Sequence, residues 1–257
     1  MNPLFSSSSS CSSSSILRAL ICTALCAVAL QPTRLAHATP VKFAHTLELY
    51  RSSSGRLPAS PLLEFVSLSR ARATQKYVKG LTLLDTTASM SSIAGYVTGA
   101  TSSLVLSRTQ GFELAFSIQI LAETHRGADR NRDGIADRAG FSVVLLGEDA
   151  KGIELDFWPN SVWAQADGIN PPQLPILTHA ESATIATTRM QIYRLQIKGD
   201  VYTLFAADQP ILTGPVRDYR AFELFPAVYA IPNFIFLGDN SASAQARVAI
   251  RDVVVSY

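Results

Sequence analysis

Cysteine is nearly missing from this chain, and the few copies are poorly placed for structural work. All three, Cys11, Cys22 and Cys26, fall within the first 38 residues. A chain trimmed of that segment has no thiol and no disulfide, so its stability must come from a core, with or without a metal. Charge is sparse as well: Asp, Glu, Lys and Arg make up 16% of the 257 residues, against a hydrophobic fraction of 47%. That balance excludes disorder over most of the length. Net charge is also lacking. The 22 basic residues include Arg18 and Arg34 of the first segment, which holds no acid, and the remainder carries 20 basic against 20 acidic groups. Nothing here calls for nucleic acid or an anionic membrane as partner. No phosphate loop, dinucleotide fingerprint or Ser/His/Asp motif appears.

The first 38 residues stand apart. A serine tract, "MNPLFSSSSSCSSSS", leads into "ILRALICTALCAVAL", which is apolar apart from Arg18. The segment closes on Ala36-His37-Ala38, an A-x-A cleavage pattern. The unbroken apolar run, Ala19 to Leu30, is shorter than the roughly 20 residues that span a bilayer. A secretory signal peptide over residues 1–38 is the expectation, with an uncleaved anchor as the alternative. No membrane span is expected in the mature chain, which would be secreted, periplasmic or displayed at the cell surface.

Helical periodicity is missing too. Residues 39–75 are mixed and contain the linker-like "RSSSGRLPASP", with an edge strand as a further option. From residue 76 the hydrophobic period is two. "YVKGLTLLDT", "GFELAFSIQIL", "FSVVLLG", "KGIELDFW", "SVWAQA", "QIYRLQIKG", "VYTLFAA", "NFIFLGD" and "VAIRDVVVSY" read as strands, parted by turns at 199–200, 208–210 and 238–240. Short strands without βαβ alternation predict an all-β sandwich or barrel over 76–257.

One hairpin can be read in register. An even-numbered loop at Pro159-Asn160 pairs Phe157 with Val162 and Leu155 with Ala164. The opposite face then carries Glu154, Asp156, Trp158, Trp163 and Gln165. Flat rings beside carboxylates and an amide are a sugar-binding mixture. A plainer alternative is an ordinary sheet face whose tryptophans are covered by a loop.

"ADRNRDGIADRAG", residues 128–140, looks like a calcium loop. Asp129, Asn131 and Asp133 alternate, Gly134 stands at the bend, Ile135 offers a carbonyl and Asp137 takes the ninth position. Position twelve is Gly140, so the bidentate acid is missing, and the flanks read as strands. Arg126, Arg130, Arg132 and Arg138 outnumber the aspartates. The expectation is a weak calcium clasp of the extracellular kind, or a polar loop closed by Asx turns and Asp–Arg pairs. His179 and Glu181, two apart, do not make a zinc site.

From about residue 77 onward the order of segments resembles a concanavalin A-like lectin/glucanase jelly roll of the laminin-G type. "GFELAFSIQIL" is similar to its long early strand. "RAGFSVVLLG" with "KGIELDFWPNSVWAQ" is similar to its central hairpins. "YRLQIKGDVYTLFAADQPILTG" is similar to its recurrent hairpin, with Ala207-Asp208-Gln209-Pro210 at the expected Asp-Gly turn. "PNFIFLGDNSASAQARVAIRDVVVSY" is similar to its closing pair, where a Gly-Asp turn precedes the last strand. The resemblance covers some 180 residues and extends to secreted bacterial domains of this type. It implies an all-β, two-sheet antiparallel jelly-roll sandwich that hosts lectins, glycosidases, lyases and adhesion modules. Laminarinase-like members carry E-x-D-x-E or E-x-D-x-x-E on one strand; here Glu154 and Asp156 are present and the second Glu is absent. Lyase-like members use a His, Tyr and Gln set, for which only Gln119 and His179 offer themselves. The expected function is therefore non-catalytic glycan binding or surface adhesion, with polysaccharide cleavage as the alternative.

Overall fold

The computed structural model describes residues 42–68, 72–98, 104–170, 174–175, 177–222 and 226–257. The segment read as a signal peptide lies outside the described residues. Seventeen strands follow one another: β1 (Thr46–Arg51), β2 (Leu63–Ser67), β3 (Thr74–Val78), β4 (Leu81–Asp85), β5 (Ala94–Thr98), β6 (Phe112–His125), β7 (Ser142–Leu146), β8 (Gly152–Trp158), β9 (Ser161–Gln165), β10 (Ile169–Asn170), β11 (Leu174–Pro175), β12 (His179–Thr184), β13 (Gln191–Lys198), β14 (Val201–Ala206), β15 (Gln209–Pro215), β16 (Ile235–Asp239) and β17 (Ala244–Ser256). Among the described residues helix is limited to two 3₁₀ turns, Ser52–Ser54 and Tyr219–Ala221, and one α-turn, α1 (Pro226–Tyr229).

Fifteen of these strands form two antiparallel sheets, a jelly-roll sandwich, and β10 pairs with β11 as a separate two-stranded ribbon. The first sheet runs β15-β14-β13-β6-β17-β4-β3, with β1 also on β17; the second runs β12-β9-β8-β7-β16-β5-β2. Alternate residues of each sheet meet in the middle. Leu114, Phe116 and Ile118 of β6 oppose Val143 and Leu145 of β7, and Leu155 and Phe157 of β8, all at most 1% exposed. Phe116 stacks on Tyr193 at 5.6 Å and meets Phe157 edge-on at 6.0 Å, joining the sheets. Each such ring contributes about 1.5–3 kcal/mol through burial.

The turn chemistry follows the residues. Ala207 and Asp208 both adopt positive φ, at 46° and 64°, and close β14 to β15 with the two-residue geometry that matches strand twist. Lys79 and Gly80, with φ of 48° and 81°, do the same between β3 and β4. "YVKGLTLLDT" is therefore the turn and second arm of a hairpin, not one strand. Gly238-Asp239 is likewise no turn: both residues pair with β5 inside β16. There Gly238 abuts Gly95 so closely that a Cβ would lie 2.4 Å from the Gly95 Cα. The chain turns after Asn240 instead.

The central strands of the second sheet, β7, β8, β9 and β16, are buried on both sides. Val144 and Leu146 of β7 and Phe236 of β16 face away from the main core, yet pack under Tyr219, Phe222, Tyr229 and Phe234. Two segments thus cover this outer face: residues 217–222 with 226–234 over β7, β16 and β5, and the loop 126–140 over β8 and β9.

Candidate functional site

The hairpin register is as the face pattern requires. Phe157 pairs with Val162 and Leu155 with Ala164, which sends Glu154, Asp156, Trp158, Trp163 and Gln165 to the outer face. That face is not an open platform. Glu154, Asp156, Trp163 and Gln165 are 0% exposed, and Trp158 alone of the five reaches solvent in part. Of the two alternatives the sequence offers, the arrangement is that of tryptophans lying under a loop. The cause is the loop 126–140, which lies across the face.

The loop is held by its own main chain. Ala136 O pairs with His179 Nε2 at 2.9 Å, Asp137 O accepts from Gln165 Nε2 at 2.9 Å, and Arg138 O accepts from Trp158 Nε1 at 3.3 Å. Three consecutive carbonyls are taken by three side chains of the face beneath. Trp163 stacks on His179 at 4.0 Å, and Trp158 stacks on His125 at 4.3 Å. Burial lowers the His179 pKa, keeping the imidazole neutral within this stack.

Arg138 then turns its side chain inward. Nη2 donates to Glu154 Oε1 at 2.7 Å and also to Asn240 Oδ1, and Nη1 lies 3.7 Å from Asp156 Oδ2. Glu154 also accepts from Asn240 Nδ2 at 2.9 Å and from the Tyr229 hydroxyl. Gln165 Nε2 donates to Asp156 as well. Tyr219 Oη donates to Gln165 O at 2.7 Å and accepts from Glu154 N at 3.2 Å. Burial pushes Asp156 up to about 7; Arg138 pulls it back and the Glu154 charge adds to the rise. Desolvation works against the Arg138 charge, but Asp156 and Glu154 outweigh it and its pKa is raised. Nearby, burial pushes Asp239 up to about 8 against the hydrogen bond from Thr86. Arg138 Nη1, Asp156 Oδ1, Trp163 Nε1 and Gln165 Oε1 are buried without a hydrogen-bond partner among the described residues.

The acidic part of the loop is closed by backbone amides. Asp129 accepts from the N–H of Asp133 at 3.0 Å and of Gly134 at 2.9 Å. Asp133 accepts from Ile135 N at 2.8 Å, and that bond lowers its pKa. Asn131 donates to Asp133 at 2.8 Å, and Asp137 accepts from Arg130 N at 2.7 Å. Arg132 and Gly134, with φ of 61° and 85°, make the bend. Among the described residues no three His, Cys, Asp or Glu side chains are gathered for a metal. As they stand, the side chains of Asp129, Asn131, Asp133 and Asp137 are engaged within the loop, with Ile135 44% exposed. The twelfth position is settled by packing: a Cβ on Gly140 would lie 2.0 Å from the Gln245 carbonyl carbon, so no acid fits there.

Other sequence candidates separate. Gln119 lies on β6 of the first sheet and donates to Thr188 O at 2.9 Å, so it does not join His179 of the second. A register shift between His179 and Ser182 parts His179 from Glu181. Glu181 instead holds Arg217 at 2.6 and 2.8 Å and accepts from Tyr202 at 3.0 Å, tying the two sheets at one edge.

Beside Arg138 the surface dips. A recess of about 280 Å³ lies between the loop, the Asn240–Ser243 turn and the covering aromatics. Its walls combine Phe222, Tyr229 and Leu177 with Arg130, Asn240 and Ser243. Sequence reasoning missed Tyr219, Phe222 and Tyr229, which come from segments without a motif, and took Asn240 only as part of a turn.

No protein-family model matches the chain, and no curated protein matches it. Solved structures do resemble it. A carbohydrate esterase from the Shiga toxin-encoding bacteriophage phi24B is 12% identical, covers 84% of this chain and 98% of its own, and superposes with a TM-score of 0.50. An endo-β-1,3-glucanase from Pyrococcus furiosus is 10% identical over 84% of this chain and 94% of its own, with a TM-score of 0.48. The lectin I-B4 from Griffonia simplicifolia is 13% identical over 83% and 99%, with a TM-score of 0.41. The likeness is one of fold, a β-sandwich, at low identity and without a specific family.

Proposed function

We propose that this chain is a carbohydrate-recognition domain whose saccharide sits in the recess beside Arg138. The observation that carries this reading is the composition of the recess. Phe222 and Tyr229 line it together with Arg130, Asn240 and Ser243, and aromatic side chains beside hydrogen-bonding groups are the mixture that recognises a sugar ring. Its volume of about 280 Å³ suits a small saccharide unit rather than a long chain. The buried network beneath keeps the walls in place. Thermal shift and calorimetry against a glycan panel test the reading, with Arg130→Ala as the control. Binding that drops severalfold in Arg130→Ala is the expected result. No binding across the panel, or binding indifferent to the substitution, overturns it.

A second reading is polysaccharide cleavage, favoured by the carboxyl pair at alternate positions of β8. Burial pushes Asp156 up to about 7, a value suited to proton transfer near neutral pH, and Glu154 stands two residues away on the same face. Both groups are covered, so cleavage would require the loop 126–140 to lift. Release of reducing ends from β-glucan or alginate, lost in Glu154→Gln, would support it; inactivity on a broad panel removes it.

We also propose a weak calcium clasp in the loop. What supports it is the curl made by the bonds from Asp133 N and Gly134 N to Asp129, which keeps alternate polar side chains on one short arc. The carboxylates must leave their amides to bind, so the affinity belongs to the weak extracellular range, on the order of 10⁻³ M.

A further inference from the structure

A second cavity adjoins the recess. It is a groove of about 210 Å³ over β5, β7 and β16, and its lining is almost wholly apolar, with Val97, Val144, Val228, Phe234 and Phe236 as its main walls. Val66 and Leu68 stand at this groove with 38% and 51% of their surface exposed. The two cavities share four residues, Arg138, Leu177, Tyr229 and Asn240. Tyr229 donates its hydroxyl to Glu154 and is 3% exposed, so the dividing wall is fixed from below. Arg138 belongs to the same wall and is held from beneath by Glu154 at 2.7 Å.

The pair of cavities is amphipathic. One side adds hydrogen-bonding groups at Arg130 and Ser243 and the other is mostly hydrocarbon, and apolar surface left open to water is a site for apolar matter. An occupant of both must be polar at one end and apolar at the other. We propose that the ligand is a glycoside with an apolar aglycone, such as an alkyl chain: its sugar lies in the recess and its apolar part crosses the Tyr229–Asn240 wall into the groove. This rests on the carbohydrate reading and deepens it by naming the ligand class.

The test compares methyl and octyl glycosides of glucose, galactose, mannose and glucuronic acid, below the concentration at which the octyl compounds form micelles. Calorimetry on the native chain should give at least tenfold tighter binding for the octyl member of the preferred sugar. Val228→Trp fills the groove, and Val66→Arg places a charge beside it on an already exposed position. Each should bring the octyl-to-methyl ratio near one while methyl-glycoside affinity stays within twofold. Equal affinity of methyl and octyl forms in the native chain, with binding still weakened by Arg130→Ala, overturns the aglycone proposal and leaves the recess reading standing. Octyl binding that ignores both the sugar and Arg130→Ala overturns the recess reading and this proposal with it. Absence of binding by every compound does the same.

Discussion

Replacing Arg138 by Leu should destabilise the fold by an amount that depends on pH in a calculable way. The guanidinium is 7% exposed and faces two carboxyls that are 0% exposed, at 2.7 Å from Glu154 and 3.7 Å from Asp156. Removing one partner of a buried ion pair costs about 3–5 kcal/mol. An upper bound comes from protonation, because a stranded glutamate can escape its charge by taking up a proton. From a reference value near 4.3, that costs roughly 1.36 kcal/mol per pH unit, hence about 4 kcal/mol at pH 7 and about 1 kcal/mol at pH 5. The sign follows from linkage. In the variant the folded state holds a proton that the unfolded state releases, so the variant loses stability as pH rises. Urea unfolding of native chain and variant at pH 5 and pH 7 reads both numbers. Arg138→Leu combined with Glu154→Gln should recover most of the loss at pH 7. A penalty equal at the two pH values, or under about 1 kcal/mol at pH 7, would refute the reasoning and mean that water reaches these carboxyls.

The native chain should itself gain stability as pH falls from 8 toward 5. Asp156 and Asp239, raised to about 7 and about 8, bind protons more tightly folded than unfolded, so their contribution is complete below about pH 4 and lost through those values. Asp239→Asn should flatten the upper part of the curve by up to about 1 kcal/mol per pH unit. His179, lowered by burial, acts in the opposite sense below about 6.5 and moderates the gain. Gly140→Ala should cost about 1–3 kcal/mol or more through its clash with the Gln245 backbone, whereas Gly134→Ala, open to solvent but at φ 85°, should cost about 1 kcal/mol; equal effects would dismiss the packing argument. Calcium at about 10 mM against a dissociation constant of about 1 mM adds roughly 1.4 kcal/mol. That is a rise of about 3–6 °C in melting temperature for a domain of this size, and no rise, or one that survives Asp129→Ala, defeats the clasp.

The sequence made the β8–β9 register legible because Leu155, Phe157, Val162 and Ala164 segregate from Glu154, Asp156, Trp163 and Gln165 under only one pairing. It did not make the fate of the second group legible. Their alternation with apolar residues is the pattern of a wet sheet face, and the residues that dry it, Arg138, Tyr219 and Tyr229, are brought in from 16 to 75 positions away. A signal for two-sided burial was nonetheless present. "SVVLL" and "FIFLG" are apolar at both parities, which a strand with one solvated face has no reason to be. The acidic loop was legible as a loop, and its missing twelfth acid was visible. That Gly140 lies against Gln245 of β17 could be learned only from the fold.

Strand β17 has a consequence for how the chain reaches its native state. One edge of it pairs along β6, while the other carries β4 on residues 247–250 and β1 on residues 252–256. Thr46 and Ser256, hydroxyl to hydroxyl at 3.1 Å, are 210 positions apart. The first sheet therefore has its central seam between segments distant in sequence, and hairpins alone cannot nucleate it. Chains dominated by such non-local pairing fold slowly, because loop closure must precede most of the stabilising contacts. Until β17 inserts between β6 and its partners β1 and β4, those strands keep open hydrogen-bonding edges, the feature through which partly folded β chains aggregate.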